Sequence, residues 1–240
     1  MTGRIFVARH GETLLNALGR VQGWSDAPLT ARGRAEAESL GRTLIAAGAR
    51  IRVARCADLG RHRETAAAAL AVAAPEVVAE VDERWREFAF GAYEGARGER
   101  LWADLAQAHG RAVAALRSAE VEVLDVLAAL PALGAHAGVP VESVAEVRTR
   151  ARAGFEAAVA APQAAGAVSG AACDVLIVTS GLTLLVLLSA LAIDTSTFEG
   201  GIGNGAVVTL VRAAADAGDA GRWTLAPAGA EWGAESVDSV

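Results

Sequence analysis

The residues best suited to chemistry stand near the start of the chain, where Arg9-His10-Gly11-Glu12-Thr13 follows the apolar run Ile5 to Ala8. A neutral imidazole attacks phosphorus at pH 7 without an activating base, and a neighbouring guanidinium grips an anion through paired N–H donors. Gly11 is expected to let the backbone come close to a phosphate. Taken alone, an Arg-His pair is more often an exposed turn. Here two further polar clusters, Asp58 to Thr65 with Arg61 and Thr179-Ser180-Gly181, also begin where a strand is expected to end. Ligands of parallel α/β sheets bind beyond the carboxyl ends of the strands, so the three clusters point to one site. No His, Asp or Glu spacing forms a chelating set, and Cys56 and Cys173 lie far apart without a CxxC motif. No metal or cofactor is implied, and the thiols read as two small buried residues of a reducing compartment.

The elements that must position these residues alternate. Strands are expected at Arg4 to Ala8, Ile51 to Arg55, Glu76 to Val81, Val175 to Val178, Gly205 to Arg212 and Arg222 to Ala226. Helices are expected from the Thr30 N-cap to near Gly48, over Gly60 to Ala74, within about 99–130, from Val141 towards Ala161, and after Gly181. Pro162 to Ala172 reads as a surface loop. This order implies a three-layer α/β/α fold with a central, mostly parallel but mixed sheet. Residues 1–240 read as a single domain, with a helical covering segment at about 96–140 and a flexible tail from about 229. The uncharged stretch Val175 to Ile193 is long enough for a membrane span. Its β-branched first half, its Thr-Ser-Gly turn and its Leu-rich second half fit a buried strand, turn and helix better.

Composition narrows the partners. The chain has 240 residues, 53% of them hydrophobic, which is enough for a sizeable core. Lysine is absent, so all 22 basic residues are Arg, set against 28 Asp and Glu for a net charge of −6. An acidic surface repels nucleic acid, whereas a few Arg focused in a cleft still attract a small anion. The expected partner is a small phosphorylated substrate, with no nucleic acid and no membrane; a homodimer is compatible with this surface. The first residues carry no signal peptide pattern, which implies a cytoplasmic protein.

Five segments, taken together, resemble the histidine phosphatase superfamily in its phosphoglycerate mutase-like branch: Ile5 to Leu44, Cys56 to Leu70, Asp82 to Gly95, Glu142 to Ala158 and Leu176 to Leu191. They come in family order and cover most of the chain. The resemblance implies a phosphoglycerate mutase-like fold and a role for each matching residue. His10 would be the nucleophile that becomes phosphohistidine. Arg9 and Arg61 would hold the phosphoryl oxygens, and Asn16 would help line the phosphate pocket. Glu87 would be the general acid, with Trp85, Phe88 and Phe90 expected to give it an apolar setting.

The fifth segment departs from the family pattern, with Ser180 where the second catalytic His belongs. Ser180 can donate one hydrogen bond to phosphate but carries no charge, and losing such a donor costs on the order of 10²–10³ in rate. Ser180→His is therefore expected to raise the rate. His62 is disfavoured as a replacement, because helical neighbours such as Arg61 and His62 point about 100° apart. His109 and His136, in the covering segment, are the first candidates. That segment lacks the adjacent Arg pair of family mutases, and Leu, Val and Ala alternate from Val121 to Leu133. The expected function is a metal-independent phosphatase acting on a small phosphomonoester. The alternatives are a nearly inactive homologue that binds a phosphorylated ligand or partner and, less favoured, a mutase-type phosphotransferase.

Overall fold

In the computed structural model, residues 2–116, 122–164, 173–198, 201–213 and 222–226 are described. Two buried strands form the spine of the sheet: β1 (Thr2–Arg9) and β4 (Cys173–Thr179), paired in parallel with Arg9 opposite Thr179. Side chains alternate between their faces, as the two-residue period of a strand requires. Ile5, Val7, Val175 and Ile177 enter one apolar cluster, and Phe6, Ala8, Leu176 and Val178 enter another on the opposite side. Burial on both faces explains why these strands read as unbroken apolar runs.

Parallel β2 (Ile51–Cys56) and the short β3 (Glu80–Val81) extend the sheet from β4, and antiparallel β5 (Val207–Arg212) and β6 (Trp223–Leu225) extend it from β1. The order β3-β2-β4-β1-β5-β6 is thus the mixed sheet that the alternation implies. β3 is much shorter than its Glu76–Val81 expectation, because the chain after Ala74 first turns back, with Val77 N–H bonded to the Ala74 carbonyl.

One helical layer is α2 (Ala31–Ala46) against α3 (Gly60–Ala73), preceded by the single turn α1 (Leu14–Ala17). The Thr30 hydroxyl caps α2 by accepting from Gly33 N–H at 3.0 Å. The two helices lie close enough that a Cβ on Gly41 would collide with the Ala69 carbonyl. α8 (Val144–Ala164) and α9 (Gly181–Ala190) cover the other face. α8 begins after Ser143, whose hydroxyl and backbone N–H both donate to the Glu146 carboxylate, and it continues through Pro162, which was expected in a loop. Residues 165–172 of that loop, and the tail from 229, lie outside the described residues.

The helical region expected at 99–130 is broken into α4 (Gly98–Ala108), α5 (Val113–Leu116), α6 (Val123–Val126) and α7 (Leu130–Leu133). Its Leu124, Val126, Leu127 and Leu130 join Phe88, Phe90 and Leu105 in a third apolar cluster. The apolar alternation of this segment therefore serves a core. The uncharged stretch 175–193 is split into β4 and α9, and no described helix is long and apolar enough to cross a membrane.

Asp174 fastens the spine at the end away from the three polar clusters. Its buried carboxylate accepts from the backbone N–H of Arg4 and of Arg50, both at 2.8 Å, and pairs with the Arg4 guanidinium at 2.7 Å. Burial opposes ionisation, but the hydrogen bonds from Arg4 and Arg50 outweigh it and hold the carboxyl below its ordinary value. A depressed carboxyl stabilises the fold at neutral pH, and its contribution is lost as pH falls through the folded-state value. Asp174→Asn is expected to cost roughly 2–4 kcal/mol at pH 7. The loss should shrink in strong acid, as checked by urea unfolding at pH 7 and below pH 4; equal losses at both would remove the carboxylate's role.

Candidate active site

The parallel pairing of β1 with β4 carries straight into the first polar cluster. His10 N–H donates to the Thr179 carbonyl at 3.0 Å, and Arg9 N–H donates to the Ala206 carbonyl at 2.9 Å. His10 is buried, and its Nδ1 lies 2.8 Å from the carbonyl of Gly11. A carbonyl only accepts, so Nδ1 bears the hydrogen and Nε2 bears the free lone pair. Burial, followed by the charges of Arg61 and Arg9, pushes the His10 pKa well below its usual value. The ring is therefore neutral at pH 7, with its nucleophilic nitrogen fixed. Gly11 owes its identity to packing: a Cβ there would strike the carbonyl of Gly33 at the start of α2. Close approach to phosphate is not needed to explain it.

Arg61 is wholly buried in the first turn of α3. Its Nη1 donates to the Ser25 carbonyl (2.8 Å) and the Asp26 carboxylate (3.2 Å), and its Nη2 to the Gly23 carbonyl (2.6 Å). These carbonyls are held in place by Glu94, whose carboxylate accepts from the successive N–H groups of Gly23, Trp24 and Ser25 and also from Phe90 N–H. Arg9 is anchored by one bond, from Nη1 to the Ile202 carbonyl at 2.6 Å. The Nε of each arginine is buried with no acceptor among the described residues, as is the amide nitrogen Nε2 of Gln22. Unpartnered buried donors cost free energy, and an anion would satisfy them.

Asn16 faces this cluster from α1. Its Oδ1 accepts from Thr13 N–H, from the Thr13 hydroxyl and from Asn204 Nδ2, and Asn204 Nδ2 also donates to the His10 carbonyl at 3.1 Å. Thr65 ties α3 to the same turn by accepting from Gly11 N–H at 3.0 Å. Sequence reasoning did not single out Gln22, Thr65, Glu94 or Asn204 for these tasks. Two of them carried a visible signal: Glu94, in the Glu-Gly pair that ends the third segment, and Thr65, in the Thr-Ala pair of the second.

Glu87 is placed differently from expectation. Trp85, Phe88 and Phe90 are spent on separate core clusters, and the carboxylate is ringed by polar hydrogens. Oε1 accepts from Phe88 N–H, Thr183 N–H and the Thr183 hydroxyl, and Oε2 accepts from Leu182 N–H at 3.0 Å. Glu87 thus takes the exposed amides at the start of α9, where a carboxylate also meets the positive end of the helix dipole. Its charge is felt by both Arg9 and Arg61.

Ser180 is the N-cap residue of α9, yet its hydroxyl makes no capping bond. It lies instead 2.7 Å from Nε2 of His62. This overturns the expectation that His62 points away. The ring is fully buried, with its centroid 5.0 Å from that of His10 in an edge-to-face arrangement. The 100° rule separates residues on one helix surface, but the first turn of α3 ends against the sheet, where both side chains turn inward. His109 and His136 do not enter: Nε2 of His109 is bonded to the Val126 carbonyl, and His136 is exposed in the connector before α8.

Cys56 and Cys173 are both buried, with no disulfide among the described residues, and burial raises the pKa of the Cys56 thiol to about 11. Among the described residues no three His, Cys, Asp or Glu side chains come together as a metal site.

Known proteins share this architecture. A phosphoglycerate mutase from Bacillus anthracis superposes with a TM-score of 0.77 at 26% identity, covering 93% of this chain and 91% of that one. A mycobacterial glucosyl-3-phosphoglycerate phosphatase superposes with a TM-score of 0.68 at 25% identity, covering 94% and 97%. A probable phosphoglycerate mutase GpmB of Erwinia tasmaniensis is 37% identical over 101 residues, 42% of this chain and 45% of that protein. Matches to such curated relatives span less than half of their length. The profile of the histidine phosphatase superfamily (branch 1) matches residues 5–225, and the chain belongs to that superfamily.

Proposed function

We propose that the protein is a metal-independent phosphatase that hydrolyses a small phosphomonoester through a phosphohistidine on His10. The observation that carries this reading is the neutral ring of His10, whose tautomer leaves the lone pair on Nε2, in the field of two arginines whose buried Nε atoms have no acceptor among the described residues. Nε2 attacks phosphorus, and the ester P–O bond breaks as the P–N bond forms. Glu87 takes up a proton on Oε2 as the anionic substrate binds and passes it to the departing oxygen; among the described residues Oε2 accepts one hydrogen bond, from Leu182 N–H, and so keeps a lone pair for that proton. Water then attacks phosphorus, Glu87 takes back a proton, and the P–N bond breaks to restore His10. Arg9, Arg61 and the amide of Asn16 hold the phosphoryl oxygens, so positioning and charge neutralisation do most of the work. The similarity to a glucosyl-3-phosphoglycerate phosphatase supports a phosphorylated metabolite as substrate.

A second reading, a phosphate-ligand binder without turnover, is favoured by Ser180 in place of the family's histidine. A phosphomonoester screen separates the two. His10→Ala should lower turnover about 10⁴-fold or more and abolish acid-labile phosphate labelling of the protein. Wild-type turnover in that variant would end the covalent mechanism. Arg61→Ala should weaken phosphate binding and cut kcat by about 10²–10³-fold together; a change in KM alone would make Arg61 a mere docking charge.

Activity should survive EDTA; a loss restored by a divalent ion would require metal chemistry. Imidazole NMR should find His10 as the neutral Nδ1–H tautomer at pH 7 and still neutral at pH 6, because its pKa is depressed. A ring protonated at pH 6 would leave no free lone pair for attack.

A further inference from the structure

We infer that His62 supplies the second imidazole of the site, standing in from α3 for the histidine that β4 lacks, with Ser180 setting its tautomer. The inference rests on the phosphatase reading and adds a catalytic residue to it. Position 180 lies at the carboxyl end of β4, beside His10 at the end of β1. An imidazole there would project from the sheet into the space above His10. With only a hydroxyl at 180, the ring of His62 reaches that space from the adjoining helix and meets Ser180 Oγ at 2.7 Å and the His10 ring edge-on.

Ser180 is free for this task because Glu87, rather than the N-cap hydroxyl, satisfies the first amides of α9. A serine at an N-cap ordinarily accepts from the helix, so its absence from that role calls for another use. Nδ1 of His62 is buried with no hydrogen-bond partner among the described residues. A phosphoryl oxygen only accepts, so the productive tautomer carries its hydrogen on Nδ1 while the Ser180 hydroxyl donates to Nε2. Burial, with Arg61 and His10 nearby, keeps the ring neutral. It therefore serves as a hydrogen-bond donor to the transferring phosphoryl group, alongside Arg9 and Arg61, which carry the positive charge. The arrangement also reverses the expectation for Ser180→His alone: a second imidazole at 180 would collide with the one already there and gain nothing.

The test uses 4-nitrophenyl phosphate turnover and calorimetry with inorganic phosphate on the full chain. His62→Ala is expected to lower kcat about 10²–10³-fold with a smaller change in KM. Ser180→Ala, which removes the tautomer's anchor, should lower kcat about tenfold on the same scale. The exchange variant His62→Ala/Ser180→His, which moves the imidazole to the end of β4, should recover at least about tenfold over His62→Ala. A folded His62→Ala with wild-type kcat, or an exchange variant no better than it, would overturn the assignment.

Imidazole NMR of the wild type needs no substitution. Inorganic phosphate should move the Nδ1–H resonance of His62, and an unmoved resonance with phosphate bound would also overturn it. If the wild type binds phosphate but turns nothing over, the phosphatase reading fails while this resonance still decides the place of His62. If the wild type binds no phosphate at all, both readings fall.

Discussion

The parallel pairing of β1 with β4 is the constraint on which the rest depends. Both strands are buried on two faces, so a slip of one residue would turn every core side chain to the wrong side. With the register fixed, Arg9 must stand opposite Thr179, and the polar residues that follow each strand must emerge side by side. His10 and Ser180 follow directly on that pair because Ile5 to Ala8 and Val175 to Val178 pack in this register. The apolar core and the polar site are thus two consequences of one alignment.

The second demand is electrostatic. Two guanidinium groups sit close to a neutral imidazole, an arrangement that costs free energy unless each cation finds acceptors. Arg61 is held by two backbone carbonyls and the Asp26 carboxylate, and Glu94 orders the loop that presents those carbonyls. The positive field is therefore prepared before any substrate arrives, and it adds to burial in keeping His10 and His62 neutral. Fixed charges of this kind need little reorganisation when phosphoryl charge develops.

Much of this was legible in the sequence. The apolar runs gave the inner strands and Thr30 gave the start of α2, while the strand-end clusters and the family resemblance together brought Arg9, His10, Arg61 and Glu87 to attention. What was not legible concerns residues whose roles depend on tertiary neighbours. Helical geometry assigned His62 to the wrong side, since it takes no account of the sheet edge against which the first turn of α3 ends. Glu87 was expected among aromatic rings because its chain neighbours are aromatic, yet those rings belong to other clusters, and α9 supplies its surroundings. The alternating apolar residues from Val121 to Leu133 read as making a covering segment largely apolar, and Leu124, Val126, Leu127 and Leu130 among them are buried in a core cluster shared with Phe88 and Phe90. Asn204 lies in a glycine-rich loop with no pattern to mark it, and only the fold brings it to the His10 carbonyl.

The bond from Nδ1 of His10 to the carbonyl of the next residue has a regiochemical consequence. It blocks the ring nitrogen nearer the main chain, so a phosphoryl group accepted by His10 resides on the far one. Such an adduct is the tele isomer of phosphohistidine, with the pros isomer closed off by the protein's own backbone. Antibodies and chromatographic standards that separate the two isomers would therefore see a single species from this chain.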